Sequence, residues 1–347
     1  MSHTLRTAIV GLGRIAWEFH LPEVAAKRDF ELVGVVDPLA ERRAEARTTF
    51  GVEGYHNLVE LYAHVKPDLV VIASPTQFHA EQSIFALEHG SDVFCDKPLA
   101  ASLAEADRII TAMRDNGRKL MLYQPHRATA EALALRHIIA KDLLGTVYMM
   151  KRTSCQYVRR NDWQAFKRYA GGMLNNYGSH LVDQLLYIAN SAAKRTTCRM
   201  QNIATLGDAE DVVKILIETQ AGILLDIDIN QATAYALPSW QVFGARGTAV
   251  LDAEQGVWNV RYFGANALPA VELHEDLAAP GREYPSDSNI PWQECAVNLS
   301  DFPALDYYQK CYAYFARGEL PFVPIDESRE LMRVLDICRL DDGGQLA

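Results

Sequence analysis

Over residues 1–125, short apolar runs alternate with stretches in which apolar residues recur at helical spacing. Strands are predicted at 5–10, 30–36, 68–73, 92–95 and 119–124, and helices at 79–89 and 103–116. The run at 68–73 is apolar after its first residue, which is typical of a strand buried on both faces of a parallel sheet. Strands and helices that alternate at this length predict a doubly wound parallel sheet of the α/β class.

The second half of the chain has a different pattern, which favours antiparallel strands. Strands are predicted at 147–153, around Val242, at 249–251, at 258–260, and twice within 211–231 about a turn at 220–222. Residues 279–303, with four prolines, are predicted as a loop, and 307–317 and 327–340 as helices. We therefore expect two domains, 1–125 and 126–347, with the helix at 327–340 packing back on the first.

Residues 171–193 are predicted to form a helix with an uncharged polar face. At about 100° per residue, its apolar face holds Leu174, Tyr177, Leu181, Leu185 and Ile188, and its polar face holds Asn176, His180, Asp183 and Tyr187. Asp183 is the one formal charge in this stretch. The face is therefore expected to line a cavity, with His180 as a general base that Asp183 orients and whose pKa it raises. The alternative is a buried helix whose polar groups satisfy one another, as at a dimer interface.

A glycine-rich turn follows the first predicted strand. Gly11-Leu12-Gly13-Arg14-Ile15-Ala16 fits the G-x-G-x-x-G/A pattern between a strand and a helix. Gly11 allows the tight turn, and Gly13 lets the backbone approach a pyrophosphate. The helix amino terminus then offers free N–H groups to the phosphates. The turn therefore predicts a dinucleotide-binding domain.

The second predicted strand ends in Asp37, where a carboxylate can accept hydrogen bonds from the ribose hydroxyls of the dinucleotide. A 2′-phosphate would meet a like charge there, so Asp37 favours NAD over NADP. Arg42 and Arg43 follow closely and could bind that phosphate, which keeps NADP as the less favoured alternative. Asp37 could otherwise be a simple turn former before Pro38.

Lys97 directly follows the strand predicted at 92–95 and precedes Pro98, so it is less free than a lysine on a surface helix. Beside an oxidised nicotinamide, the pKa of its ammonium group would fall. The alternative is an ordinary surface lysine. Ligands bind doubly wound sheets at the carboxyl ends of the strands, where Gly11, Asp37, Ser74, Asp96, Lys97 and Gln124 all lie.

Together these motifs resemble the Gfo/Idh/MocA oxidoreductases, the glucose–fructose oxidoreductase and inositol dehydrogenase family. The resemblance rests on the glycine turn with Asp37, on SPTQFH at 74–79, on CDKPLA at 95–100 and on the glycine-rich helix at 171–183. It implies an N-terminal Rossmann domain, a C-terminal α/β domain with a large, mostly antiparallel open sheet, and NAD(P) with a sugar or polyol. In the motifs, Asp96 replaces the usual glutamate and Asn176 replaces the usual aspartate.

The resemblance also implies roles for individual residues. Lys97 would orient the substrate and handle its proton, and His180 would be the general base. Asn176 can hydrogen-bond a hydroxyl but cannot accept a proton. The expected cofactor contacts are Gly11, Gly13, Arg14, Ile15, Asp37, Arg42, Ser74, Pro75, Thr76, His79, Asp96, Lys97 and Gln124. The expected substrate contacts are Lys97, Arg127, Arg159, Trp163, Asn176, His180 and Asp183, since guanidinium forks and an indole face suit a polyhydroxylated ligand.

Composition narrows the class of protein. The 347 residues include 44 acidic and 34 basic ones, which disfavours nucleic acid or an anionic membrane as a partner. No apolar run is long enough for a membrane span, and the amino terminus lacks a secretory signal. Six scattered cysteines without a CxxC pair indicate reduced thiols, no structural metal and a cytoplasmic location.

These observations predict an NAD-dependent dehydrogenase acting on a secondary alcohol of a sugar, inositol or related polyol. A second hypothesis keeps NAD bound, oxidises the sugar transiently and eliminates a glycosidic group. A third is a non-catalytic sensor of a dinucleotide or sugar. We expect a homodimer or homotetramer formed through the C-terminal sheet.

Overall fold

The computed structural model describes residues 4–268, 270, 275 and 289–341. Its first half contains a parallel sheet, sheet A, whose strands are β1 (Leu5–Val10), β2 (Phe30–Val36), β3 (Gly54–Tyr55), β4 (Leu69–Ile72), β5 (Asp92–Cys95) and β6 (Leu120–Leu122). Their order is β3-β2-β1-β4-β5-β6, so the doubly wound prediction is confirmed. The order reverses beside β1, and the crevice between the carboxyl ends of β1 and β4 is where such sheets bind ligands.

Helices cover both faces of sheet A. They are α1 (Leu21–Ala26), α2 (Ala40–Phe50), α3 (Leu58–His64), α4 (His79–Glu88) and α5 (Leu103–Asp115). A π-helical turn, Ala16–His20, leads from the glycine motif into α1. Local chemistry sets two of the starts, because the side chains of Asn57 and Ser102 accept hydrogen bonds from backbone N–H groups of α3 and α5. The predicted helices at 79–89 and 103–116 are confirmed.

The second half forms an eight-stranded sheet, sheet B. Its strands are β7 (Val147–Cys155), β8 (Ala193–Gln201), β9 (Val212–Thr219), β10 (Leu224–Asn230), β11 (Trp240–Gly244), β12 (Gly247–Asp252), β13 (Val257–Tyr262) and β14 (Gln293–Asn298). Within sheet B, only the β7–β10 pair is parallel among the described strands, which confirms a large, mostly antiparallel sheet. Alternation in β10 buries Leu225, Ile227 and Ile229 on the inner face.

One prediction in this half is wrong. The stretch 279–303 was expected to be a loop, but β14 lies within it and pairs antiparallel with β13. Every residue of β14 is at least partly exposed, so its sequence lacks the buried alternation that marks a strand. The backbone of β13 supplies the pairing instead. The part of the predicted loop at 279–288 lies outside the described residues.

The remaining helices are α6 (Ala130–Ala140), α7 (Ser179–Ala189), α8 (Tyr307–Arg317) and α9 (Ile325–Asp341). The predicted helix at 307–317 is confirmed, and the one at 327–340 is slightly longer than expected. Helix α9 contacts α5 and β6 on one side and α7 and β8 on the other. No helix of the described ranges combines the length and the apolar content that a membrane crossing requires.

A buried arginine ties three of these segments together. Arg127 follows β6 and is 1% exposed. Its Nε and Nη2 donate to the Asp183 carboxylate of α7 at 2.7 and 2.5 Å, and its Nη1 donates to Glu327 of α9 at 2.5 Å. Charge-assisted forked contacts of this kind are the stronger hydrogen bonds of proteins. The loop after sheet A is therefore fixed to α7 and α9.

We expect Arg127→Met to lower the free energy of unfolding by about 3–5 kcal/mol, because the buried Asp183 carboxylate would lose its partner. Urea denaturation followed by circular dichroism measures this loss. The double variant Arg127→Met/Asp183→Leu removes both charges and should recover most of it. Equal losses in the single and double variants would contradict the assignment.

Candidate active site

A cavity of about 860 Å³ opens at the carboxyl edge of sheet A, between the ends of its strands and residues 163–176. Predicted site residues account for much of its wall. Those that line it are Gly11, Gly13, Arg14, Ile15, Asp37, Arg42, Ser74, Pro75, Thr76, Asp96, Lys97, Trp163 and Asn176. The structure therefore brings the ends of β1, β2, β4 and β5 together with the start of the helical segment 174–189, called the site helix below.

The two motif glycines are required for different reasons. Gly11 has φ +87°, and a Cβ there would lie 2.6 Å from the backbone of Ser74, so only glycine fits between β1 and β4. A Cβ on Gly13 would meet nothing within 4 Å. Gly13 therefore faces open space in the cavity wall. This is expected where the backbone must approach a ligand closely.

Asp37 is almost wholly buried at the end of β2. Its Oδ2 accepts a hydrogen bond from Leu12 N at 2.8 Å, and its Oδ1 accepts one from Leu39 N at 2.9 Å. Arg42 Nη1 lies 3.5 Å from Oδ2, and Arg42 also lines the cavity. The carboxylate thus holds the glycine turn in place. This corner of the cavity carries a negatively charged carboxylate and a positively charged guanidinium.

Lys97 joins the two halves of the site. Its Nζ donates to the backbone oxygen of Asn176 at 2.7 Å and to Asn176 Oδ1 at 3.2 Å. The Asn176 amide in turn donates to Gln164 Oε1 at 2.9 Å. Burial lowers the pKa of Lys97 to about 8, opposed by the Asp96 carboxylate and assisted by Arg14 and Arg160. The ammonium is thus held by neutral oxygens.

His180 packs against a second imidazole that the sequence analysis did not identify. The rings of His126 and His180 are stacked, with centroids 3.9 Å apart and planes at 16°. Burial, Lys97 and His126 lower the pKa of His180 well below its usual value. Burial, Arg152 and Lys97 lower the pKa of His126 to about 4. Both rings are therefore uncharged at neutral pH.

The site helix differs from the uniform helix predicted at 171–193. Its first turn, Leu174–Gly178, is a π-helical turn, and α7 follows. A π turn holds more residues than an α turn, so the spacing used for the polar face fails. The expectation that Asp183 orients His180 and raises its pKa is wrong, because the Asp183 carboxylate binds Arg127 instead.

Six predicted contacts lie outside the cavity wall, and His180, stacked on His126, is one of them. His79 is buried, with Nδ1 2.9 Å from Pro98 O and Nε2 2.8 Å from Ser74 O, so it braces two loops. Gln124 is fully buried under Tyr307 and α7. Arg127 and Asp183 bind each other instead of a ligand. Arg159 is exposed, and its neighbour Arg160 lies near Lys97 instead.

Three residues that act on His180, Asn176 and Lys97 were missed. His126 lies at the end of β6, so the rule that selected Gln124 and Arg127 also applied to it. Gln164 carries no sequence signal, because its contact with Asn176 joins a loop to a helix turn. Arg160 was indistinguishable from Arg159 without knowing how the loop turns.

Comparison with known proteins places this geometry in a family. Residues 5–124 match the oxidoreductase family with an NAD-binding Rossmann fold, and residues 132–250 match the Gfo/Idh/MocA C-terminal domain. The chain is similar to the NADP⁺-linked scyllo-inositol 2-dehydrogenase of Bacillus subtilis, at 30% identity over 72% of this chain and 76% of the relative. It is similar to D-glucoside 3-dehydrogenase of Escherichia coli at 29% identity, over 56% of this chain and 57% of the relative.

The chain spans little more than half the length of the curated relatives it matches first. Solved structures share its fold over nearly the whole chain. An NAD-binding protein from Listeria innocua has a TM-score of 0.82 at 22% identity, covering 98% of this chain and 95% of its own. An oxidoreductase from Agrobacterium radiobacter, in complex with NAD⁺, L-tartaric acid and magnesium, has a TM-score of 0.80 at 17% identity, covering 98% and 97%.

The two domain matches, the near full-length fold and the inositol dehydrogenase relative agree with the resemblance in the motifs. The chain belongs to the Gfo/Idh/MocA family of oxidoreductases, with an N-terminal NAD-binding Rossmann domain.

Proposed function

We propose that the protein is a nicotinamide-dependent dehydrogenase that oxidises a secondary alcohol of a sugar, inositol or related polyol. The observation that carries the proposal is the contact of Lys97 Nζ with Asn176 in the cavity that begins at the glycine turn. A lysine in this place can donate a hydrogen bond to an alcohol oxygen, and its lowered pKa suits proton transfer during oxidation of that alcohol. Relatives named as inositol and glucoside dehydrogenases support the substrate class.

The residues present fit a dinucleotide. Gly13 leaves the wall open for a pyrophosphate, and the backbone after it begins a helical turn. Asp37 retains lone pairs for ribose hydroxyls, so NAD is the proposed cofactor. Arg42 at the same corner makes NADP the less favoured alternative. A bound nicotinamide cofactor would supply the acceptor for the hydride that leaves the alcohol carbon.

The side chains beside the cavity then handle the proton of the alcohol. Lys97 donates a hydrogen bond to the alcohol oxygen and orients it, while Asn176 holds the ammonium in place. His180 is uncharged at neutral pH and takes up the hydroxyl proton. Asn176 adds no negative charge, which keeps the pKa of Lys97 lower than an aspartate would.

Four expectations stay predictions. They are the division at residue 125, the homodimer or homotetramer, the cytoplasmic location and net turnover. Sedimentation velocity measures the oligomeric state. Release of reduced cofactor from a panel of polyols, inositols and aldoses separates net oxidation from transient oxidation followed by elimination, which releases none.

We expect Gly13→Ala to fold normally, because the added methyl group meets no protein atom, and to bind NADH at least about tenfold more weakly, a loss of ~1.4 kcal/mol. Fluorescence titration with NADH measures the affinity. Gly264→Ala is the control for adding a methyl group, because Gly264 follows β13 outside the cavity, has no positive φ, and its added Cβ would make only an ordinary 3.8 Å contact with Ala267. Unchanged NADH affinity in Gly13→Ala would contradict the assignment of the turn.

We expect Lys97→Met to lose about 10²–10⁴-fold in kcat while binding NADH normally. Burial lowers the pKa of Lys97 from 10.5 to about 8. Below pH 8 the buried charge therefore destabilises the folded state, and this destabilisation disappears as the pH rises from 8 to 10.5. The variant should therefore melt no lower than the wild type at pH 7. The exposed Lys141→Met is the control. Near-normal kcat in Lys97→Met would overturn the mechanism.

We expect Asn176→Asp to move the pH dependence of the reaction. A carboxylate beside the Lys97 ammonium favours its charged form, so the pKa near 8 should rise by about one unit or more. The alkaline limb of the kcat/KM profile, where Lys97 loses its proton, should shift upward by the same amount. A limb that stays in place would show that Lys97 does not set it.

A further inference from the structure

The stacked imidazoles of His126 and His180 are not part of the cavity wall, but the charge of Lys97, which is part of it, acts on both rings. Their ring nitrogens have no hydrogen-bond partner among the described residues, and His180 Nδ1 is fully buried. His79 is the contrast within this chain, because both of its ring nitrogens contact carbonyl oxygens. Buried polar atoms without a protein partner mark places where a ligand or water completes the bonding.

A guanidinium on the inner face of sheet B, that of Arg152, acts on His126 through its charge. Arg152 of β7 lies with its guanidinium carbon 4.8 Å from the Trp240 ring centroid. Its Nη1 donates to the backbone oxygens of Thr153 and Ser239 at 2.9 and 3.0 Å. Its Nε is buried and has no partner among the described residues. One donor of a nearly buried cation is therefore unused.

The acidic groups around these rings are engaged elsewhere. Asp96 accepts a hydrogen bond from the backbone N of Lys97, and Asp183 is bound to Arg127. Glu131 comes only within 4.0 Å of Arg152 Nη2. The charged groups that act on His126 are Arg152 and Lys97, both cationic. Lys97 and His126 act on His180. The two imidazoles therefore have cationic neighbours, while the ion pair with Glu131 at 4.0 Å leaves Arg152 Nε without a partner among the described residues.

We propose that His126 and Arg152 receive an anionic oxygen group of the substrate, a carboxylate or a phosphate, while Lys97 and His180 act on its alcohol. The preferred substrate is then an acidic or phosphorylated sugar derivative rather than a neutral polyol. The inference rests on the proposed dehydrogenase function and specifies its substrate class. A charged acceptor would supply the bonding that the imidazole and the guanidinium lack.

Binding of an anion here is linked to pH. A negative charge beside His126 raises its pKa from about 4, so binding takes up protons and tightens as the pH falls toward that range. The groups that act on His126 and Arg152 are Lys97, His180, the Glu131 carboxylate paired with Arg152, and the Tyr177 hydroxyl. A neutral sugar raises no such pKa. Proton uptake is thus a readout that a purely structural role for His126 would not produce.

The test compares D-glucose, D-glucuronate and D-glucose 6-phosphate as ligands of the NADH-loaded protein. Isothermal titration in two buffers of different ionisation enthalpy gives the affinity and the protons taken up. The variant His126→Phe keeps an aromatic ring against His180 and removes the nitrogens. The control is His137→Phe, since His137 is exposed on α6 and packs against Phe302.

We expect at least one anionic ligand to bind the wild type about tenfold or more tightly than glucose, a difference of ~1.4 kcal/mol. His126→Phe should lose most of that preference and the proton uptake, while its glucose affinity and the behaviour of His137→Phe stay unchanged. The better of the two anions identifies the group as carboxylate or phosphate.

The proposal is overturned if glucose binds as tightly as both anions, if neither anion binds at millimolar concentration, or if His126→Phe weakens all three ligands alike. Turnover is scored separately by NAD reduction. Anion preference in binding without turnover of any sugar would refute the dehydrogenase function and leave the anion site standing. Turnover of neutral sugars without anion preference would support the dehydrogenase function and refute the anion site.

Discussion

A partly dehydrated ammonium held by neutral oxygens is the constraint on which the site depends. Lys97 stands at the carboxyl end of β5, and the oxygens that bind its Nζ belong to Asn176, in the turn before α7. An ammonium out of water needs such partners, because losing them costs more than a neutral hydrogen bond is worth. The edge of sheet A and the start of the site helix therefore have to meet. The cavity between them follows from that meeting.

Close backbone packing keeps that helix start in place. A Cβ on Gly171 would lie 2.4 Å from Gln164 O, and one on Gly172 would lie 2.2 Å from Glu210 Oε1. Glu210 also accepts a hydrogen bond from Leu174 N at 3.0 Å. The glycine pair thus lets a loop and an acid approach the helix terminus, where free N–H groups need acceptors. The same loop then presents Gln164 to Asn176.

Sequence reasoning succeeded where the determinant was local. Strand–turn–helix rules identified Gly11, Asp37 and Lys97, because a strand end fixes where its next residues lie. It failed where a side chain had to choose among distant partners. Asp183 binds Arg127, which lies 56 residues away in sequence, and His79 binds two carbonyl oxygens of neighbouring loops. It also failed where helix geometry was not uniform, at Leu174–Gly178, and at β14, whose stability comes from β13.

The π-helical turn at Leu174–Gly178 has a consequence for how such a site can diverge. A π turn contains one residue more than the α turn it replaces, so a single deletion there would restore regular α geometry. Because Asn176 lies within this turn, such a deletion would change which side chain faces Lys97. Leu181, Leu185 and Ile188 would keep their places in the core. One codon can therefore exchange the group that faces Lys97 without rebuilding the fold around it.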